Sequence, residues 1–204
     1  YINEETKVCV CHERLSIVGV NKGAQPIYDC PYNKNYVLTV NGEIYNHLGI
    51  REIVLQDRYD FTTDSDCEVI LHLYREYGNK FLNMLDGVFS FALYDATENN
   101  FIVARDPIGV NPLYYAIDNE QGICVASEIK AIRQWSSDVE IKIFPPGHFM
   151  TRNLEPQRYY NPKWFLGESI PKYNMEVSEE NICKIIRKSL TRSVEKRLMA
   201  DVPF

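Results

Sequence analysis

Residues 88–94 read Val-Phe-Ser-Phe-Ala-Leu-Tyr, a run that is nearly continuous in apolar, β-prone side chains. A short run of this kind suits a strand covered on both faces, because neither set of alternating side chains then meets water. The pattern extends outward in both directions. Downstream, residues 101–104, 113–117 and 123–126 are further strands by composition, separated by Asp/Asn/Gly turns. Upstream, Tyr36-Val37-Leu38-Thr39-Val40 is a strand stopped by Asn41-Gly42, a dipeptide that readily takes positive φ. Strands that follow one another without a long helical crossover pair largely antiparallel. The expected class is α+β, with antiparallel sheets and helices layered outside them.

The helices are few. Asp64-Ser65-Asp66 sets a helix N-terminus, with Ser and Asp as cap candidates, for a helix over residues 66–77. Val69, Ile70, Leu73 and Tyr77 recur in it at helical spacing and predict its buried face. Residues 127–134 read as a short helix. Lys7-Val8-Cys9-Val10-Cys11-His12 is a short β-prone segment, and Asn21 to Pro26 is turn chemistry. The proline-rich stretch 145–171 reads as irregular linker. Beyond it, residues 178–199 form an amphipathic helix with Ile182, Ile186, Leu190, Val194 and Leu198 on one stripe, widened by Ile185. Its Lys and Arg side chains are read as a solvated face. A second domain is expected to begin near residue 175.

Composition bounds the function classes. With 204 residues, 45% hydrophobic and 25% charged, the chain can bury a core and lies outside the disordered range. A net charge of −6 and a pI near 5.3 argue against a generic binder of phosphate backbones. No stretch is long and apolar enough to cross a bilayer, and the opening YINEETK is polar. The lack of an initiator Met leads us to expect a fragment or a processed product. Without a secretion signal a reducing, cytoplasmic setting is expected, with the six cysteines free. They form no CxxC pair, and the four histidines (12, 47, 72, 148) are scattered, so no zinc site is expected.

Three segments combine functional groups with strand ends. In His12-Glu13-Arg14-Leu15-Ser16-Ile17-Val18, the Arg14 guanidinium offers a planar fork suited to a carboxylate, beside apolar neighbours. The plain alternative is a surface salt bridge with Glu13 or another acid. In Asn41-Gly42-Glu43, an Asn amide and a Gly N–H are the donor types of an oxyanion hole, and Glu43 adds an acceptor. The plain alternative is a strand-ending turn. In Asp64-Ser65-Asp66-Cys67-Glu68, one aspartate is expected to cap the helix while the other faces a ligand ammonium. Taken together, these complements describe a free amino acid with a reactive side-chain carbonyl.

CHERLSIVGVNKGAQPIY, VNGEIYNH, DSDCEVILHLYREYG, MLDGVFSFALYD, ARDPIGVNPLYY and ASEIKAI occur in this order. The series resembles the amino-terminal class II glutamine amidotransferase domain of glutamine-hydrolysing asparagine synthetases, densely over residues 7–150. KRLMADVP near the end is similar to the run before the synthetase's ATP-binding loop. The resemblance implies the N-terminal-nucleophile amidohydrolase fold, a four-layer αββα sandwich of antiparallel sheets, over residues 1–160. A linker over 161–177 and the first helix of an ATP-dependent synthetase domain over 178–204 would follow. It implies a glutamine site in which Arg14 holds the carboxylate and Leu15, Ser16, Ile17 and Val18 line the pocket. Asn41 and Gly42 would form the oxyanion hole, Glu43 would help bind substrate, and Asp66 would take the amino group. The parent protein would make asparagine from aspartate, glutamine and ATP, passing ammonia from a cysteinyl thioester to β-aspartyl-AMP. Glutamine is the implied ligand of these residues, with no cofactor in this piece. Aspartate, ATP and Mg²⁺ would belong to the synthetase part, and a homodimer is an option.

The chain departs from the family pattern in one respect. The family nucleophile is a cysteine at the mature amino terminus, whose own α-amine is the base, and this chain starts at Tyr1. Cys9 and Cys11 are read as core residues of one strand face. The expectation is a truncated, inactive piece of a working enzyme. A non-catalytic ligand-binding or scaffolding module and a β-lactam-synthetase-type relative stay open as alternatives.

Overall fold

The computed structural model describes residues 1–30, 34–56, 58–165, 167 and 178–203. In chain order the strands are β1 (Ile2–Asn3), β2 (Val8–Cys9), β3 (Ile27–Tyr28), β4 (Tyr36–Ile44), β5 (Gly87–Asp95), β6 (Asn100–Arg105), β7 (Tyr114–Ile117), β8 (Ile123–Ala126), β9 (Lys142–Ile143), β10 (His148–Met150) and β11 (Gln157–Arg158). The α-helices are α1 (His47–Gly49), α2 (Val69–Tyr77), α3 (Ile129–Trp135) and α4 (Glu179–Glu195).

Six strands pair in the order β11-β10-β6-β5-β4-β3 and three in the order β8-β7-β9, every described pairing being antiparallel. The run at 88–94 is the centre of the larger sheet. Strand β5 pairs with β4 from Gly87 opposite Ile44 to Asp95 opposite Tyr36, and with β6 on its other edge. Alternation along these strands feeds two cores. On one side Leu38, Val40, Phe89, Phe91, Leu93 and Ile102 pack with Val69, Ile70 and Leu73 of α2. On the other, Val103 and Met150 meet Leu113, Tyr115 and Phe144 across the gap to the smaller sheet. Helix α3 packs on β7 and β8. The layers thus run helix, sheet, sheet, helix, as the expected α+β sandwich requires.

Some local readings are corrected. The strand expected over 7–12 shrinks to Val8–Cys9, hairpinned on Ile2–Asn3, and Cys9 and Cys11 are exposed instead of core. A two-residue hairpin on the rim gives them nothing to pack under. The helix expected from 66 opens as a 3-10 turn over Asp66–Glu68. Its cap is the Ser65 hydroxyl, which accepts from Cys67 N, and neither aspartate does that job. Tyr77 leaves the buried face that Val69, Ile70 and Leu73 form. Helix α4 ends at Glu195 and continues as a 3-10 turn over Lys196–Leu198. Its apolar stripe is exposed at Ile185, Ile186, Leu190 and Val194. The stretch 145–171, expected as irregular linker, instead supplies β10 and β11 at one edge of the larger sheet, because its residues find a partner in β6, while most of 161–177 lies outside the described residues.

Candidate functional site

The three candidate segments meet around the end of β4. Gly42 sits where β4 presses closest on β5, and a Cβ there would lie 2.1 Å from Val88 O and 2.6 Å from Phe89 Cα. Only glycine fits that approach. The next residues stay paired with β5 as far as Ile44, and Asp66 Oδ2 accepts from Ile44 N at 2.7 Å. Cys67 fills the same corner, its thiol 3.5 Å from Gly42 O and 3.7 Å from Asp66 Oδ2. Asp66 is 4% exposed. The segment before it is held in place by Arg51, which donates to Ser65 O at 2.7 Å and stacks over Phe61.

Arg14 approaches from the other side. Its guanidinium makes none of the ion pairs found among the described residues, so the expected salt bridge with Glu13 is not formed. Nη2 donates instead to Val18 O at 2.8 Å and Gly19 O at 2.9 Å. A Cβ on Gly23 would lie 2.4 Å from that nitrogen, so Gly23 leaves room for the guanidinium. Gly19 adopts φ +67 and its Cα faces the Asp64–Ser65 peptide, with Asp64 C 2.8 Å from where a Cβ would stand. The turn that carries Arg14's partners therefore rests on the residue pair that precedes Asp66. Ser16, Ile17 and Val18 are half-buried along this loop. Leu15 is 91% exposed and its side chain points into solvent.

Burial sets the electrostatics. It pushes the Asp66 carboxyl up from its ordinary range, against the pull of the Ile44 N–H and of His47 nearby. Glu43 is raised by burial and by the Asp66 charge, with Arg197 opposing. His47 is buried with no partner for Nδ1, and burial lowers its pKa. The Cys67 thiol is pushed well up by burial and by the Asp66 carboxylate, which makes it a poor nucleophile. Tyr1 lies at the far end of the sheet, its ring 6.1 Å from that of Tyr94, five residues along β5 from Phe89. Among the described residues no group of His, Cys, Asp and Glu could hold a metal ion, and no helix is long and apolar enough to cross a membrane.

Several supports of the site give little sign in the sequence. Gln25, read only as part of a turn, pairs its amide with both Val40 N (2.7 Å) and Val40 O (2.9 Å). It thereby fills the open edge of β4 one residue before Asn41. Asn111 Nδ2 donates to Asn41 O at 2.6 Å, while Asn41 itself is exposed. The loop carrying Asn111 is wound around Asp106, which is fully buried and accepts from the backbone N–H of Phe89, Ile108, Gly109 and Val110. Arg105 closes the loop by donating to Asn111 O, Phe144 O and Gly109 O. A buried Arg or Asp in ARDPIGVN is a visible oddity, but which N–H groups it gathers is set by tertiary folding.

The fold that carries this corner is an antiparallel α+β sandwich. Residues 1–161 match the glutamine amidotransferase domain, and the chain belongs to that family. It is 46% identical over 96% of its length to a probable glutamine-hydrolysing asparagine synthetase of Schizosaccharomyces pombe, covering 34% of that protein. It is 43% identical over its whole length to one of Dictyostelium discoideum, covering 36%. The chain thus spans about a third of the length of the curated relatives it matches. Among solved structures it resembles the allosteric regulatory enzyme of purine biosynthesis (TM-score 0.56, 27% identity, 69% of this chain and 32% of that one). It also resembles the glutamine phosphoribosylpyrophosphate amidotransferase of B. subtilis (TM-score 0.55, 25% identity, 74% and 37%).

Proposed function

We propose that the chain is the glutamine-binding part of a glutamine-hydrolysing asparagine synthetase. The observation that carries this reading is the convergence on one corner of Arg14 through Gly19, Gly42 and Glu43 at the end of β4, and Asp66 on Ile44 N. In it the Arg14 fork takes the α-carboxylate. The Asp66 oxygen engaged in neither the Ile44 nor the Cys67 bond takes the ammonium, and Glu43 assists it. The Asn41 amide and the Gly42 N–H face the side-chain carbonyl, where an oxyanion would develop. Ser16, Ile17 and Val18 border the bound molecule, whereas Leu15, turned to solvent, is left out of the pocket wall.

Hydrolysis needs a thiol beside a free amine. Cys67 is buried with a raised pKa, and Cys9 and Cys11 lie on the rim, so we assign the nucleophile to no residue of this chain. Ammonia transfer to aspartate activated by ATP and Mg²⁺ is assigned to the remainder of the synthetase, with residues from 178 onward as its first helix and residues 161–177 as the connection. The free cysteines suit a reducing, cytoplasmic setting. The resemblance alone supports a homodimer.

The experiment is a calorimetric titration of L-glutamine into the chain, with D-glutamine and L-glutamate as comparisons. L-Glutamine is expected to bind and Arg14→Ala to weaken it by roughly a hundredfold, the loss typical of a charge-assisted pair. Equal affinity in Arg14→Ala removes Arg14 from the site. In an active parent protein Asn41→Ala should lower turnover by roughly a hundredfold or more.

A further inference from the structure

The residues after α4 touch the sandwich at three points, one of them outside the candidate site. Lys196 pairs with Asp86. The Arg197 guanidinium lies 4.9 Å from the centre of the Tyr45 ring, two residues from Glu43. Asp201 reaches furthest: its carboxylate accepts from Gly19 N at 2.8 Å while its own N–H donates to Ile17 O at 2.9 Å. The two bonds form a reciprocal clasp on the turn whose carbonyls, at Val18 and Gly19, hold Arg14. That turn is gripped from both sides, by the guanidinium through its carbonyls and by Asp201 through its N–H. Its third support is steric, since Gly19 lies against the backbone of Asp64 and Ser65. Gly19, Asn21, Asp64, Asp201 and Val202 line a single shallow cleft there.

We propose that Asp201 is a positioning residue for glutamine: by holding the Ile17–Gly19 turn it sets where the Arg14 guanidinium stands relative to Asp66. The proposal rests on the glutamine reading of the site and adds to it a mechanical link. A displacement of the segment after α4 would loosen the carboxylate end of the pocket without touching the substrate. A carboxylate accepting a backbone N–H is a charge-assisted bond, stronger than a neutral one, and its loss frees a turn whose glycine has many alternative conformations.

The test uses the 204-residue chain with Asp201→Ala, Asp201→Asn and, as a control on the same segment, Lys196→Ala. Calorimetry gives the L-glutamine affinity, hydrogen exchange the protection of the Gly19 amide, and a thermal scan the integrity of the fold. Asp201→Ala is expected to weaken glutamine roughly tenfold and to speed Gly19 exchange, with little change in melting temperature. Asp201→Asn keeps one acceptor oxygen and should recover part of both losses, while Lys196→Ala stays within about twofold of wild type. Equal affinity in wild type and Asp201→Ala overturns the proposal, as does a loss matched by Lys196→Ala or unaccompanied by faster Gly19 exchange. A wild-type chain that binds no glutamine removes the reading of the site instead. Gly19 exchange then decides the role of Asp201, because unaltered protection in Asp201→Ala refutes the clasp and accelerated exchange upholds it.

Discussion

Asp66 and Glu68 stand two residues apart on one 3-10 turn, both buried, and they meet opposite environments. Burial alone would raise Glu68, but His72, Thr63 and Thr62 donate to its oxygens and together bring its pKa below the ordinary value. Asp66 is raised by burial, with the Ile44 N–H only partly opposing. The first carboxylate is surrounded by its donors, as a structural tie should be. Burial disfavours the ionised form of the second, and the Ile44 N–H, His47 and the Cys67 thiol offset that only in part. A ligand ammonium would offset the rest. Sequence adjacency therefore says little about the role, and the count of donors around each carboxylate says a good deal.

The comparison can be broken by substitution. Removing Glu68 should have the largest effect on stability, because Glu68→Ala leaves the buried His72 without its partner and unties the backbone of Thr62 and Thr63. A loss of roughly 3–5 kcal/mol is expected in urea unfolding, and a loss under 1 kcal/mol would show the tie to be dispensable. Gly42→Ala should come next, near 1–3 kcal/mol, since its Cβ would meet Val88 O and Phe89 Cα. The same melt checks it.

The third effect is on binding and pH. Asp66 must be ionised to hold an ammonium, and its pKa is raised. Glutamine affinity should therefore begin to fall at a higher pH, as acid is added, than an ordinary aspartate would allow. Titrations between pH 7 and 4.5 test this, and a flat profile would count against Asp66 as the partner. The pair should also differ in acid stability. Glu68 contributes stability that is present above pH 4.5, its unperturbed value, and lost as the pH falls through its lower folded value. Asp66 has the opposite sign: its contribution is unfavourable once the pH exceeds 3.8. The smallest effect on folding is accordingly expected from Asp66→Asn, within about 1 kcal/mol of wild type or slightly stabilising. A large loss of stability would make Asp66 a second structural tie and erase the contrast with Glu68.

Much of this layout is legible in the sequence. The apolar run at 88–94 marks the central strand because both its faces are buried, whereas Asn41-Gly42, read as a strand end, lies inside β4, which stays paired with β5 as far as Ile44. The ordered blocks indicate the family and with it the candidate site residues. What escapes is long-range pairing. Nothing local says that Gln25 completes the edge of β4, that Asn111 closes on Asn41, or that Asp201 clasps Gly19 across 182 positions of chain. The strand at 7–12 was overestimated for a related reason: β propensity cannot show that only two residues find a partner. Ser65 took the cap because its neighbour Asp66 was claimed by Ile44 N, a contest settled in three dimensions.

The most direct test is to titrate L-glutamine into wild type and Asp66→Asn and to melt the same two samples. The account predicts that Asp66→Asn loses affinity by roughly a hundredfold, as for an ammonium left without its counter-charge, while its melting temperature stays the same or rises. Undiminished glutamine binding by Asp66→Asn at an unchanged melting temperature would contradict it.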